Sequence, residues 1–278
     1  MLLFVNHLTN VDFSYLHPKR GLLGETWLAS TELDGALDEQ GMVCDFGVVK
    51  KTLRNWLDQK LDHCLLVPKQ SANLELIEQG EDIELRWHYP GGDIHCRSPK
   101  QAITLIDCQE INAQSVAQWS IQQLAKLLPS SLENLSLDFD AEALAESAFY
   151  HYSHGLKKHA GNCQRIAHGH RSRIEICIDG QRDLALEQAW SKRWCDIYLG
   201  SRDDLVNTDN DSHHFAYQSQ QGKFQLSLPT SSCELLTTDT TVEFIAQYIG
   251  QQLQAELGQV KIQVRAFEGL GKGAVYSL

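Results

Sequence analysis

Two stretches of the chain alternate apolar and polar residues, Leu135-Ser136-Leu137-Asp138-Phe139 and Val260-Lys261-Ile262-Gln263-Val264, as half-buried strands do. Each follows a segment of helical period. Ala117-Gln118-Trp119 with Gln122-Gln123-Leu124 recurs as Ala246-Gln247-Tyr248 with Gln251-Gln252-Leu253, and such self-similarity marks an internal repeat. After each strand comes a glutamate and then a tyrosine at the same spacing, Glu142 and Tyr150 in one half and Glu268 and Tyr276 in the other. Upstream, Phe13-x-x-x-His17 answers Tyr150-x-x-x-His154, and Leu33-Asp34-Gly35 answers Ile178-Asp179-Gly180, where Asp-Gly marks a hairpin turn after a strand.

The chain therefore reads as a tandem duplicate, residues 1–144 and 145–278. The last strand of the first copy is expected to run into the first strand of the second near residues 140 to 150. Within a copy the order reads strand, strand, helix, helix, strand, strand, with the first helix at about Gly47 to Leu61. This predicts an α+β fold on an antiparallel sheet rather than a doubly wound one. Residues 81 to 97, around Pro90-Gly91-Gly92, predict an inserted hairpin. That hairpin and the acidic stretch Asp203 to Asp211 are expected to be surface decoration.

Composition narrows the function classes. The 278 residues are 42% apolar and 22% charged, as in a folded globular protein. A formal net charge of -12 disfavours binding to a phosphate backbone, which needs clustered Lys and Arg. The first residues lack a basic leader and no apolar stretch approaches membrane-spanning length, so the chain is expected in the cytoplasm, with no membrane partner. Eight cysteines without C-x-x-C spacing are expected to be reduced and mostly buried.

The sharpest chemical signal is Cys163-Gln164-Arg165-Ile166-Ala167-His168-Gly169-His170. On a strand, His168 and His170 face the same way and can offer two imidazoles to one metal. His154 is the natural third ligand, because Ala148 to His154 is strand-like and would pair antiparallel with that strand. Three imidazoles with an open fourth position describe a catalytic zinc site. In the first copy Leu23-Gly24-Glu25 stands opposite His168-Gly169-His170, so the glycine is kept and both histidines are gone. The first copy instead carries Gly41-Met42-Val43-Cys44-Asp45-Phe46, a helix, and Leu61-Asp62-His63, where a carboxylate can orient an imidazole for proton transfer. In the second copy Cys195-Asp196-Ile197 echoes Cys44-Asp45-Phe46 without a following Asp-His pair. The losses are complementary, which one composite site explains and independent drift of a duplicated chain also explains.

With these residues the chain resembles the 6-pyruvoyltetrahydropterin synthase and 6-carboxytetrahydropterin synthase family of the tunnelling fold. The shared pattern is an aromatic segment ending in His, Cys before His-Gly-His, Gly-Met-Val-x-Asp-Phe, Leu-Asp-His, Thr-x-Glu opening a helix, and a final Glu. The resemblance implies two tunnelling-fold units, each a four-stranded antiparallel sheet with two helices on one face, associating as a homo-oligomer of barrels. It implies zinc on His154, His168 and His170, Cys163 as the base, Asp62 and His63 assisting it, and Glu268 anchoring the pterin. Thr241 and Glu243 match the helix-opening motif, and Glu142 matches the anchor in the copy without zinc. The implied substrate is 7,8-dihydroneopterin triphosphate, with Arg165, Arg171 and Arg173 as local positive charge. Other readings are a related lyase feeding folate synthesis and a zinc-containing pterin-binding protein without turnover.

Overall fold

The structure, a computed structural model, describes residues 1–129, 131–144 and 148–278. The first copy opens with a long antiparallel hairpin, β1 (Leu2–His17) and β2 (Gly21–Gly35). Asp45 then caps α1 (Phe46–Lys60) by accepting from the Val48 N–H, which satisfies one of the helix's orphan donors. Next come β3 (Leu65–Pro68), β4 (Leu74–Gln79), β5 (Asp82–Tyr89), β6 (Gly92–Pro99) and β7 (Ile103–Ile106). An Asn112–Ser115 capping box starts α2 (Ala113–Leu124), and β8 (Leu132–Ala141) follows. The second copy repeats the order: β9 (Phe149–His154), β10 (His168–Ile178), β11 (Gln181–Arg182), α3 (Leu184–Arg193), β12 (Ile197–Ser201), β13 (Leu205–Asp209), β14 (Ser212–Ser219), β15 (Gly222–Pro229), β16 (Cys233–Leu236), α4 (Val242–Leu257), β17 (Ile262–Phe267) and β18 (Gly273–Ser277). The expected boundary after residue 144 adjoins residues 145–147, which lie outside the described residues.

The α+β class and the repeat are present, but the sheets are broader and more mixed than four antiparallel strands. The first runs β7-β3-β1-β2-β8 and the second β16-β12-β9-β10-β17-β18, with β11 beside β10. β3 and β7 join in parallel on the β1 side, as β12 and β16 do beside β9. A parallel strand buried on both faces needs no polar alternation. β3 and β12 are wholly buried and so carry no period to read. Among the described residues, a fourth antiparallel strand, β18, is present in the second copy alone.

Both helices of the first copy share one core with its sheet. Val49, Leu53 and Trp56 from α1 and Val116 and Leu124 from α2 pack with Val11, Phe13, Leu137 and Phe139. In the second copy Trp190, Ile245, Ile249 and Leu253 cover Tyr152, Ile174, Ile176 and Val264.

The segments expected to be decoration instead join the copies. β4–β6 and β13–β15 form one antiparallel sheet, β13-β14-β15-β6-β5-β4, continuous through the β6–β15 pair. Leu85, Trp87 and Ile94 from one copy and Phe215, Phe224 and Leu226 from the other make a shared core beneath it. The junction is near-symmetric about Cys96 opposite Leu226. Gly92 (φ +130°) abuts Pro229 and Gly222 (φ +132°) abuts Pro99; a Cβ would come within 2.8 and 2.6 Å of the respective ring carbons.

The two main sheets also cross at very close range. A Cβ on Gly24 would lie 1.8 Å from the Tyr152 carbonyl oxygen, and one on Gly169 would lie 2.6 Å from Gly24 Cα. Beside this crossing, Ser14 Oγ donates to Ser153 Oγ at 2.7 Å across the copies. Ser14 pairs with Gly24 and Ser153 with Gly169, so Ser14 and Ser153 are true counterparts. His154 therefore corresponds to Tyr15 rather than His17, and His168 and His170 to Leu23 and Glu25. By the parallel pairs Ser14–Leu65 and Ser153–Tyr198, Asp196 is the counterpart of His63 and not of Asp45. Both stand at positive φ, 61° and 55°.

Candidate active site between the two copies

β9 and β10 pair antiparallel with His154 directly opposite His168. The alternation of the strand then places His170 on the same face. The metal-binding nitrogens of His154, His168 and His170 all lie within 4.8 Å of one another, and all three side chains are fully buried. His154 Nδ1 donates to the Thr240 carbonyl and His168 Nδ1 to the Arg165 carbonyl, each at 2.9 Å. With those protons on Nδ1, each Nε2 carries a lone pair. The Nε2 atoms of all three histidines are buried without a hydrogen-bond partner. Burial first, and the neighbouring imidazoles second, hold the pKa of His154 and His168 well below the ordinary histidine value, so both are neutral, as metal ligands must be. Three convergent, desolvated lone pairs fit a divalent metal such as zinc.

Asp62 and His63 arrive from the first copy, on the turn between α1 and β3. His63 Nδ1 lies 2.6 Å from Asp62 Oδ2, and the His63 ring is 5.0 Å from the His168 ring, centroid to centroid. Cys163 stands beside them, its sulfur within 4.8 Å of ligand atoms of both His63 and His168. Burial alone would lower the His63 pKa, but hydrogen bonds to Asp62 and Cys163 outweigh it and raise the pKa to about 10. The turn is clamped by Arg165, whose Nη1 approaches the His63 carbonyl at 3.4 Å and Cys64 Sγ at 3.0 Å.

Glu268 Oε1 lies 3.8 Å from His170 Nε2, and Lys272 Nζ is 3.7 Å from Glu268 Oε2. Thr241 is the N-cap of α4 and Glu243 lies exposed in its first turn; the neighbouring Thr240 is the residue that touches the cluster. Glu142 lies instead by Arg173, 3.5 Å from its Nε. The three arginines expected to offset a triphosphate are already engaged: Arg165 in the turn, Arg171 with the Glu142 carbonyl and Arg173 with Glu142. Sequence reasoning missed Lys272 and Asp12, whose carboxylate is 3.2 Å from His170 Nδ1. Asp12 is the one carboxylate in β1, which was the available signal for it.

The counterpart place on the first copy holds Tyr15, Leu23 and Glu25 where the second has three histidines. Glu25 and His151 are buried there with Glu25 Oε2 3.9 Å from His151 Nδ1. Burial pushes the Glu25 carboxyl up to about 7 and the His151 imidazole down to about 4. Because the folded pKa of Glu25 exceeds its unfolded value of 4.5, the unfolded chain ionises first as pH rises. The Glu25 contribution to stability is therefore full below about pH 4.5 and lost as pH climbs through about 7, a penalty of about 3 kcal/mol. Glu25→Gln is expected to raise the melting temperature by several degrees at about pH 8.5 and to leave it unchanged near pH 4.5, as calorimetry at the two pH values would read.

The family model for 6-pyruvoyl tetrahydropterin synthase matches the chain twice, over residues 7–141 and 143–278. A Pyrococcus horikoshii protein assigned as a 6-carboxy-5,6,7,8-tetrahydropterin synthase is 23% identical over 145 residues, 50% of this chain and 82% of that protein. Among solved structures, 6-pyruvoyltetrahydropterin synthase from Plasmodium vivax is similar at 19% identity and a TM-score of 0.43, covering 52% of this chain and 93% of its own. The Plasmodium falciparum enzyme is similar at 16% identity and a TM-score of 0.41, covering 50% and 90%.

Proposed function

The chain belongs, in both of its halves, to the 6-pyruvoyl tetrahydropterin synthase family, and on that premise we propose that it is a zinc-dependent pterin lyase with one composite active site per chain. Its substrate is 7,8-dihydroneopterin triphosphate and its product a 6-carboxy- or 6-pyruvoyl-tetrahydropterin; the name of the Pyrococcus relative favours the 6-carboxy branch. The observation that carries the reading is the approach of Asp62 and His63, from one copy, to Cys163 and His168, from the other.

His154, His168 and His170 would hold the zinc. A zinc ion held there would supply Lewis acidity to the side-chain hydroxyls of the substrate, which would make the adjacent C–H bonds more acidic. Cys163, beside His63 and His168, takes a proton from the substrate carbon. His63, kept protonated and oriented by Asp62, exchanges a proton with Cys163. Glu268 accepts from the amino group and ring N–H of the pterin, two parallel donors that match two carboxylate oxygens. Burial of the three histidines keeps bulk water from the reacting carbon.

β8 ends the first sheet and β18 the second, and such open edges invite pairing with another chain. They support assembly into a barrel-forming homo-oligomer. None of the described helices is long and apolar enough to cross a membrane.

Anaerobic incubation of zinc-loaded protein with 7,8-dihydroneopterin triphosphate, with products identified by mass, tests the proposal. A 6-carboxy or 6-pyruvoyl product supports it and names the branch. Unchanged substrate, despite full metal occupancy and tight binding, replaces it with a pterin-binding protein. Asp62→Asn keeps the shape of the turn but weakens the support for the imidazolium; kcat is expected to fall about 10- to 100-fold, and NMR titration should find the His63 pKa below that of the native protein.

A further inference from the structure

Asp12 is almost wholly buried in β1 and belongs to the copy without metal ligands. Its backbone grips the Asp62–His63 turn from both sides: the Asp12 N–H donates to Asp62 Oδ1 at 2.8 Å, and the His63 N–H donates to the Asp12 carbonyl at 2.6 Å. Its side chain faces the other way, into the second copy. Oδ1 accepts from Thr26 Oγ1 at 2.6 Å and lies 3.2 Å from His170 Nδ1. Oδ2 lies 3.5 Å from Lys272 Nζ and accepts from Asn10 Nδ2 at 3.3 Å.

The outer nitrogens of the three clustered histidines are thus not equivalent. His154 and His168 donate to backbone carbonyls, whereas His170 Nδ1 makes no aligned hydrogen bond and has the Asp12 carboxylate beside it at 3.2 Å. A carboxylate behind a ligand histidine fixes the tautomer that leaves Nε2 free and raises its basicity as a ligand. The counterpart pair confirms that this is a built feature of the crossing sheets. Asp12 corresponds to His151 and His170 to Glu25, so each crossing holds one acid and one imidazole, exchanged between the copies.

We infer that Asp12 is the positioning residue for His170, and that it ties the metal affinity of the second copy to the proton-transfer turn of the first. The inference rests on the metal-binding reading given above. Asp12→Asn is nearly isosteric and keeps the backbone grip on the turn. It is expected to weaken zinc binding by about 10- to 100-fold in a chelator competition and to shift the visible spectrum of the cobalt-substituted protein, with the metal-free protein still folded, though less stable for the lost charge beside Lys272. Thr26→Val, which removes the hydroxyl that fixes Asp12, should weaken zinc binding several-fold and serves if Asp12→Asn does not fold. Native zinc affinity and an unaltered cobalt spectrum in folded Asp12→Asn, or in Thr26→Val in its place, overturn the inference alone. Failure of the native protein to take up zinc overturns the metal-binding reading and this inference with it.

Discussion

Cys163→Ala is expected to reduce pterin turnover about a thousand-fold while zinc content, melting temperature and pterin affinity stay near native. The thiol is only half-buried, and the residue sits in a single turn of 3-10 helix. Its backbone carbonyl, which accepts from the Leu156 N–H, is untouched by the change, so little structural support is lost. The metal cluster is likewise complete without sulfur, because His154, His168 and His170 converge on their own. A proton-abstracting group leaves ground-state binding intact when removed, so the loss should appear in kcat rather than KM. Steady-state kinetics beside metal analysis of the same sample reads both. Near-native turnover would remove Cys163 from the chemistry and shift the base to another group.

The largest stability effect is expected from Gly24→Ala. Its Cβ would meet the Tyr152 carbonyl oxygen at 1.8 Å and the His170 backbone nitrogen at 2.5 Å. Both obstacles are backbone, within a paired strand, and cannot swing aside as a side-chain tip does. The first sheet would have to lift from the second, so a loss of at least about 3 kcal/mol is expected. That corresponds to a fall in melting temperature of about 6 to 12 °C for a chain of this order of size. Because the displaced strand carries His170, zinc affinity should fall as well. Gly47→Ala, in the first turn of α1 with its nearest neighbour at 3.4 Å, is the control and should leave both properties near native. Thermal unfolding of the two variants side by side makes the comparison.

Much of the fold was legible because the chain says it twice. The paired helical segments and the alternating strands after them specified the repeat; Asp179-Gly180 forms the expected hairpin turn, between β10 and β11, whereas Asp34-Gly35 lies in the end of β2, paired with β8. The H-x-H spacing and the strand before it placed three imidazoles on one face, and the ladder sets His154 opposite His168. What stayed hidden depends on contacts far apart in sequence. Asp62 and His63 look like a helix end until the turn, with His63 at φ 55°, is docked on Asp12. The union of the two inserted hairpins was masked because their faces share little sequence, although Gly92 and Gly222, Pro99 and Pro229 occupy matched places. The match of His17 with His154 failed because a common aromatic spacing outweighed the better guide, the glycines at the sheet crossing.

The central claim is that each chain holds one metal, in the second copy, within reach of a proton-transfer pair from the first. Anomalous diffraction at the zinc absorption edge, from crystals of the loaded protein, tests it most directly. The account predicts one strong peak per chain among the Nε2 atoms of His154, His168 and His170. A peak of equal strength at Tyr15, Leu23 and Glu25, or a loaded protein whose zinc lies elsewhere, would contradict it.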